Sequence, residues 1–125
     1  VAEYGQIERL ELIKLEELVP NDDQVLIDVA GSGVNPIDWK ILSGSMKQFI
    51  PMSSPYTPGV EVAGTIAAVG KNMHEYAVGD EVFGFIGIVG GYATQALATP
   101  DRLAHKPDGL SLIHAGGIPA AALTA

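Results

Sequence analysis

The run "NPIDW" places Asn35, whose amide can both donate and accept a hydrogen bond, three residues ahead of the carboxylate of Asp38. The chemistry open to this pair is hydrogen-bonded recognition, with the amide offered to a polar ligand atom. The same residues read locally as a helix start, with Asn35 as N-cap, Pro36 at the first helical position and Gly44 closing the helix about two turns later. The two uses are compatible, because capping engages the side chain that would border a site. Asp38 is expected to cap the helix or to pair with Lys40, with a direct ligand role as the alternative.

Metal and phosphate chemistry find little support in the residue types. The chain has no cysteine, which excludes disulfides and thiolate zinc sites. His74, His105 and His114 lie in unrelated segments and read as surface or packing residues. Gly59, Gly64 and Gly70 punctuate the β-prone run "GVEVAGTIAAVG", but not at the G-x-G-x-x-G spacing of a dinucleotide cradle, and no helix pattern follows. They are expected to let a short strand bend or approach another backbone closely. "AGG" at Ala115 to Gly117 is no fingerprint either, since no strand leads into it.

The elements that must position these residues are mostly strands. "RLELIKLEEL" (Arg9 to Leu18) alternates apolar and charged residues and predicts a strand with one wet face. After the turn "PNDD", "QVLIDVAGSGV" (Gln24 to Val34) sets Val25, Ile27 and Val29 on one face of a second strand. Beyond the short helix come "VEVAGTIAAVG", "DEVFGFIGIVG", "GYATQALATP" and "RLAHKP", each a short β-prone run bounded by Gly, Asp or Pro. Such a series predicts a barrel or sandwich. The final "LSLIHAGGIPAAALTA" is helical in character, with Ser111 as a cap and a break at Gly116 to Pro119.

At 125 residues the chain has the size of one domain. Seven basic against fifteen acidic residues leave a formal charge of −8, which repels a phosphate backbone, so nucleic acid is not an expected partner. No apolar run approaches the roughly 18 residues of a membrane span. No secretory signal is visible in "VAEYGQIERL". A soluble, cytoplasmic protein without a membrane partner is the expectation.

The ordered set "GVNPIDWKILSG", "TPGVEVAGTIAAVG", "VGDEVFGF", "GGYATQ", "HKPDGLS" and "LTA" resembles the N-terminal GroES-like domain of the medium-chain dehydrogenase/reductase superfamily, closest to its zinc-independent quinone oxidoreductase branch. The resemblance implies a mainly β fold, a GroES-like partly open β-barrel with short helices. It implies that residues 1–110 form this domain and that residues 111–125 begin a connecting helix to a Rossmann domain outside this chain. Zinc-dependent relatives carry a Cys at the position of Asn35 and a His at that of Val60, so no zinc is expected here.

The same resemblance implies that the whole protein transfers hydride from NADPH, bound mainly by the Rossmann domain, to a quinone or an α,β-unsaturated carbonyl, with a homodimer as the assembly open to it; this chain alone is expected to be inactive. Asn35 is the candidate catalytic residue, and Asn35, Pro36, Ile37, Asp38 and Thr124 border the cofactor, with the Thr124 hydroxyl able to reach the nicotinamide carboxamide. Met46 and Trp39 are the candidate substrate contacts. Met46 and Leu42 replace the Tyr and Arg frequent in close relatives, which separates this substrate face from theirs. From residue type, Trp39 reads as a packing residue, with a quinone-stacking platform as the alternative, and Tyr92 as core or edge packing. A stand-alone GroES-like binding or assembly module without catalysis is the competing reading.

Overall fold

A computed structural model describes all residues from Val1 to Ala125. Strand β1 (Val25–Gly31) lies between β2 (Glu61–Val69) and β4 (Gln95–Ala98), and β3 (Glu81–Phe85) joins β2 to β5 (Leu103–His105). All pairings are antiparallel. The edges β4 and β5 do not pair, so the sheet stays open, as expected of a partly open barrel. Three short helices complete the chain: α1 (Pro36–Leu42), α2 (Leu112–Ala115) and α3 (Pro119–Thr124).

The core follows from the period-two pattern. Val25 and Ile27 of β1 meet Val62 and Ile66 of β2, Val82 of β3, and Ala96 and Ala98 of β4. Ile27 stands opposite Ile66 and Ala96, which stacks a branched side chain on one face across three strands. The register slips between Leu26 and Ile27 and again between Val29 and Gly31, so β1 carries two irregularities where it crosses β2. There Gly64 is required by space: a Cβ on it would lie 2.1 Å from the Asp28 carbonyl oxygen. The expected close backbone approach at this glycine is therefore present.

Two expectations about strands need correction. Residues 9–18 form no strand, and none of residues 11–19 makes a backbone hydrogen bond. An alternating pattern becomes a strand only where a neighbour supplies hydrogen bonds and a face to bury. Here Leu12 and Leu15 face solvent, and the segment is separated from Thr94, Gln95 and the start of β4 by a cavity of about 1000 Å³. The second strand also ends at Gly31 rather than Val34: its pairing with β2 stops at Gly31 opposite Ala63, and Ser32 meets β2 through its side chain instead, the hydroxyl donating to the Glu61 carbonyl at 2.7 Å.

Replacing Gly64 by Ala is expected to destabilise the fold by about 2–4 kcal/mol in urea denaturation, as overpacking against backbone does. Gly117→Ala is the control, since its nearest neighbour would be 3.8 Å away, and it is expected to stay within about 0.5 kcal/mol of the parent.

Candidate functional site

Asn35 occupies the N-cap of α1 in extended conformation, with Pro36 next. Its side chain faces the Asp38 N–H, and its own N–H donates to Asp38 Oδ2 at 2.8 Å, the reciprocal arrangement of a capping box. Gly44, at φ +81°, follows the helix in the left-handed conformation that ends it. The local prediction for this helix holds from end to end.

The tertiary structure adds two partners that the sequence pattern does not show. Asn35 Nδ2 donates to Glu61 Oε1 at 2.8 Å, and the Ala120 N–H donates to Glu61 Oε2 at 2.6 Å. Glu61 begins β2 and is only 2% exposed, so both of its oxygens are met by N–H donors, as a buried carboxylate requires. Gly33 clears the space: a Cβ there would sit 1.8 Å from Glu61 Oε1.

The second partner is Tyr92, whose hydroxyl donates to Asp38 Oδ2 at 2.7 Å. Asp38 is 6% exposed, and its other oxygen, Oδ1, is buried without a hydrogen-bond partner, as is the hydroxyl of Tyr56. Burial, then the hydrogen bond to Asp38 and the charges of Asp38 and Glu61, pushes the Tyr92 hydroxyl far above the ordinary phenol range. Tyr56 is pushed up as well, by burial first and then by Tyr4 and Asp38. Tyr92 therefore stays a neutral donor, and the role expected of it, packing alone, is replaced by a polar one.

Asn35, Asp38 and Tyr92 form the polar wall of a cavity of about 310 Å³ whose apolar wall includes Leu10, Val34, Trp39 and Leu42. Trp39 is 60% exposed with the Lys40 ammonium 5.9 Å from its ring centroid, so it borders the cavity instead of packing in the core. Lys40 forms no pair with Asp38, whose contacts are the Asn35 N–H and Tyr92. Pro36, Ile37 and Met46 lie outside the cavity lining, Pro36 exposed, Ile37 half-buried and Met46 half-buried in the turn after α1. Thr124 is exposed near the end of α3, its hydroxyl donating to the Ala120 carbonyl at 2.6 Å. His74, His105 and His114 are all exposed, His105 against the ring of Tyr76 at 4.7 Å.

An open, five-stranded antiparallel sheet with a few short helices matches the GroES-like domain of medium-chain dehydrogenases and reductases. Residues 21–108 match the alcohol dehydrogenase GroES-like domain family, and the chain belongs to that family, in the quinone oxidoreductase-like branch of the superfamily. Among curated relatives, quinone oxidoreductase of Sus scrofa is 45% identical over 94 residues, 74% of this chain and 27% of the relative. The Homo sapiens quinone oxidoreductase is 43% identical over 113 residues, 88% of this chain and 33% of the relative. The chain thus spans about a third of the length of the relatives it matches. Among solved structures, the CurK enoyl reductase superposes with a TM-score of 0.90 at 30% identity, covering 99% of this chain and 39% of that one. Escherichia coli quinone oxidoreductase complexed with NADPH gives 0.84 at 26% identity, covering 92% and 34%.

The Tyr92 hydroxyl has a pH signature. Its proton is held more tightly in the folded than in the unfolded chain, so its contribution to stability is fully present below the ordinary phenol value of 10.0 and is lost as the pH rises towards its own higher one. Tyr92→Phe is expected to lower stability by about 1–3 kcal/mol at neutral pH and to lessen the further fall above pH 10.0, measured by denaturant unfolding across an alkaline series.

Proposed function

We propose that this chain is the cleft-forming N-terminal domain of a zinc-independent, NADPH-dependent oxidoreductase that reduces quinones or α,β-unsaturated carbonyls. The observation that carries the reading is the polar wall of Asn35, Asp38 and Tyr92 against an apolar face, in a domain whose relatives are named quinone oxidoreductases and enoyl reductases. Those relatives are about three times as long, and the reading assigns dinucleotide binding to a following Rossmann domain that begins after residues 111–125.

The residues present fit one end of a dinucleotide and not the whole of it. Gly64 and Gly70 are packed against the Asp28 and Asn21 carbonyl oxygens, so neither opens a phosphate cradle. The cleft, in contrast, offers an apolar wall for a flat ring and amide and carboxylate groups at its edge. Bound NADPH would supply the hydride. In this reading Asn35, Pro36, Ile37 and Asp38 border the nicotinamide end, and Thr124 approaches it from α3.

What the chain itself contributes is position and shielding. The Asn35 amide, bonded at Glu61, is set at the cleft without a metal ligand beside it, since Val60 occupies the position where zinc-dependent relatives carry histidine. As an amide donor it meets a carbonyl oxygen that gains negative charge on reduction. Trp39 and Leu42 exclude water from the reacting ring and set the size of the substrate face.

The test is NADPH oxidation with a panel of quinones and enones, using the protein extended through the dinucleotide domain and, in parallel, the 125-residue chain. The long form is expected to turn over and the short one not. Asn35→Ala in the long form is expected to lower kcat by about 10- to 1000-fold, the range for loss of a donor to a developing oxyanion. Turnover by neither form, or unchanged kcat in the variant, overturns the reading or the role of Asn35 respectively.

A further inference from the structure

We propose that Glu61 is the positioning residue of the cleft: by accepting from both Asn35 and Ala120 it decides which way the Asn35 amide points and ties that setting to the start of α3. The meaning of this for reduction rests on the reading of Asn35 as the cleft amide given above.

The argument begins with what an amide can do. Asn35 has one carbonyl oxygen and two N–H protons, and an isolated Asn may turn either end to a neighbour. Here the ambiguity is removed by the partner. Glu61 Oε2 accepts from the Ala120 N–H, and a carboxylate has no proton to donate from Oε1, so the atom of Asn35 against Oε1 is Nδ2. The Asp38 N–H donates to the Asn35 backbone carbonyl at 3.0 Å, so the side-chain hydrogen bond that sets the Asn35 amide is the one to Glu61. With one Nδ2 proton on Glu61, the second Nδ2 proton is free to donate, and Asn35 lines the cavity. The donor offered to an occupant is this second N–H, whose complement is a carbonyl oxygen.

The carboxylate holds more than Asn35. Ala120 is the second residue of α3, and its N–H on Oε2 makes Glu61 a clasp between the helix start at Asn35 and the chain's last helix. Gly33 and the Gly116 carbonyl close over the same point: a Cβ on Gly33 would meet Glu61 Oε1 at 1.8 Å and the Gly116 oxygen at 3.1 Å. Glu61 is 2% exposed and the Ala120 bond is buried, so water does not compete for that arm, while the Asn35 arm is part-buried at the cavity wall. A displacement of α3 therefore pulls on the same carboxylate that orients Asn35.

The polarity of the clasp makes it testable. Glutamine at position 61 has one acceptor and one donor end: with its oxygen on the Ala120 N–H its NH2 faces Asn35, so Glu61→Gln either turns the Asn35 amide round or sets N–H against N–H, and in both cases the bonded Nδ2 proton is lost. Adding Asn35→Asp restores a complementary pair, with the glutamine amide donating to the new carboxylate and its oxygen accepting from Ala120. The double variant should then regain stability while lacking the N–H donor.

The experiment is side-chain amide NMR and denaturant unfolding on the 125-residue chain. In the parent, one Asn35 Nδ2 proton is expected to be shifted downfield and to exchange about tenfold or more slowly than its geminal partner, as loss of one charge-assisted hydrogen bond implies. In Glu61→Gln that protection is expected to vanish, and Asn35→Asp with Glu61→Gln is expected to be more stable than the sum of the single changes predicts. Equal, fast exchange of both Asn35 protons in the parent overturns the proposal without any variant. So does additivity in the double variant, or an Asn35 signal unchanged by Glu61→Gln. None of these readouts involves hydride transfer, so a failure here leaves the reductase reading standing, and a failed NADPH assay leaves the clasp standing.

Discussion

Burying a carboxylate is costly unless donors meet both oxygens, and that requirement at Glu61 organises the end of the sheet where the cleft lies. The start of β2 brings the carboxylate under Gly33, the helix start supplies the Asn35 amide, and the chain's last helix supplies the Ala120 N–H. Three segments far apart in sequence are thereby held to one point. Removal of any one donor would leave charge unpaired on a buried carboxylate, so each arm enforces the others.

Asp38, in the first turn of α1, is met at one oxygen only, its Oδ1 being buried without a partner. Its Oδ2 takes the Asn35 N–H and the Tyr92 hydroxyl, which fastens α1 to the turn ahead of β4. Asn35 is consequently fixed from both sides, by its backbone on Asp38 and by its amide on Glu61. The cavity wall is therefore fixed by the chain's own hydrogen bonds. The sheet contributes rigidity beneath it: the close crossing at Gly64 sets β2 against β1 three residues from Glu61.

Legibility differed sharply between local and long-range features. Helix α1 could be read in full, because an N-cap, a proline and a terminal glycine act within a few residues of one another. The apolar row of β1 was equally plain in the alternation of Val25 and Ile27. Residues 9–18 carried the same alternation and form no strand, since pairing depends on an edge that the segment does not reach. Trp39, which by type is a packing residue or a stacking platform, is 60% exposed, and Tyr92, by type core or edge packing, also holds a carboxylate: residue type reports hydrophobic area, while exposure and a carboxylate partner are properties of the neighbourhood.

Glu61 shows the boundary between the two most clearly. In sequence it is one acidic residue among fifteen acidic side chains, at the start of a β-prone run where a solvated end would be unremarkable. A small signal was present in the glycines at positions 33 and 116, which mark close approach without naming the partner. By itself the sequence determined the helix start, the apolar face of β1 and, through the ordered set of motifs, the family. Only the tertiary structure decided which carboxylate is buried, which amide it orients and which surface becomes the cleft, because those outcomes depend on donors supplied from 26 and 59 residues away, and no local pattern carries that distance.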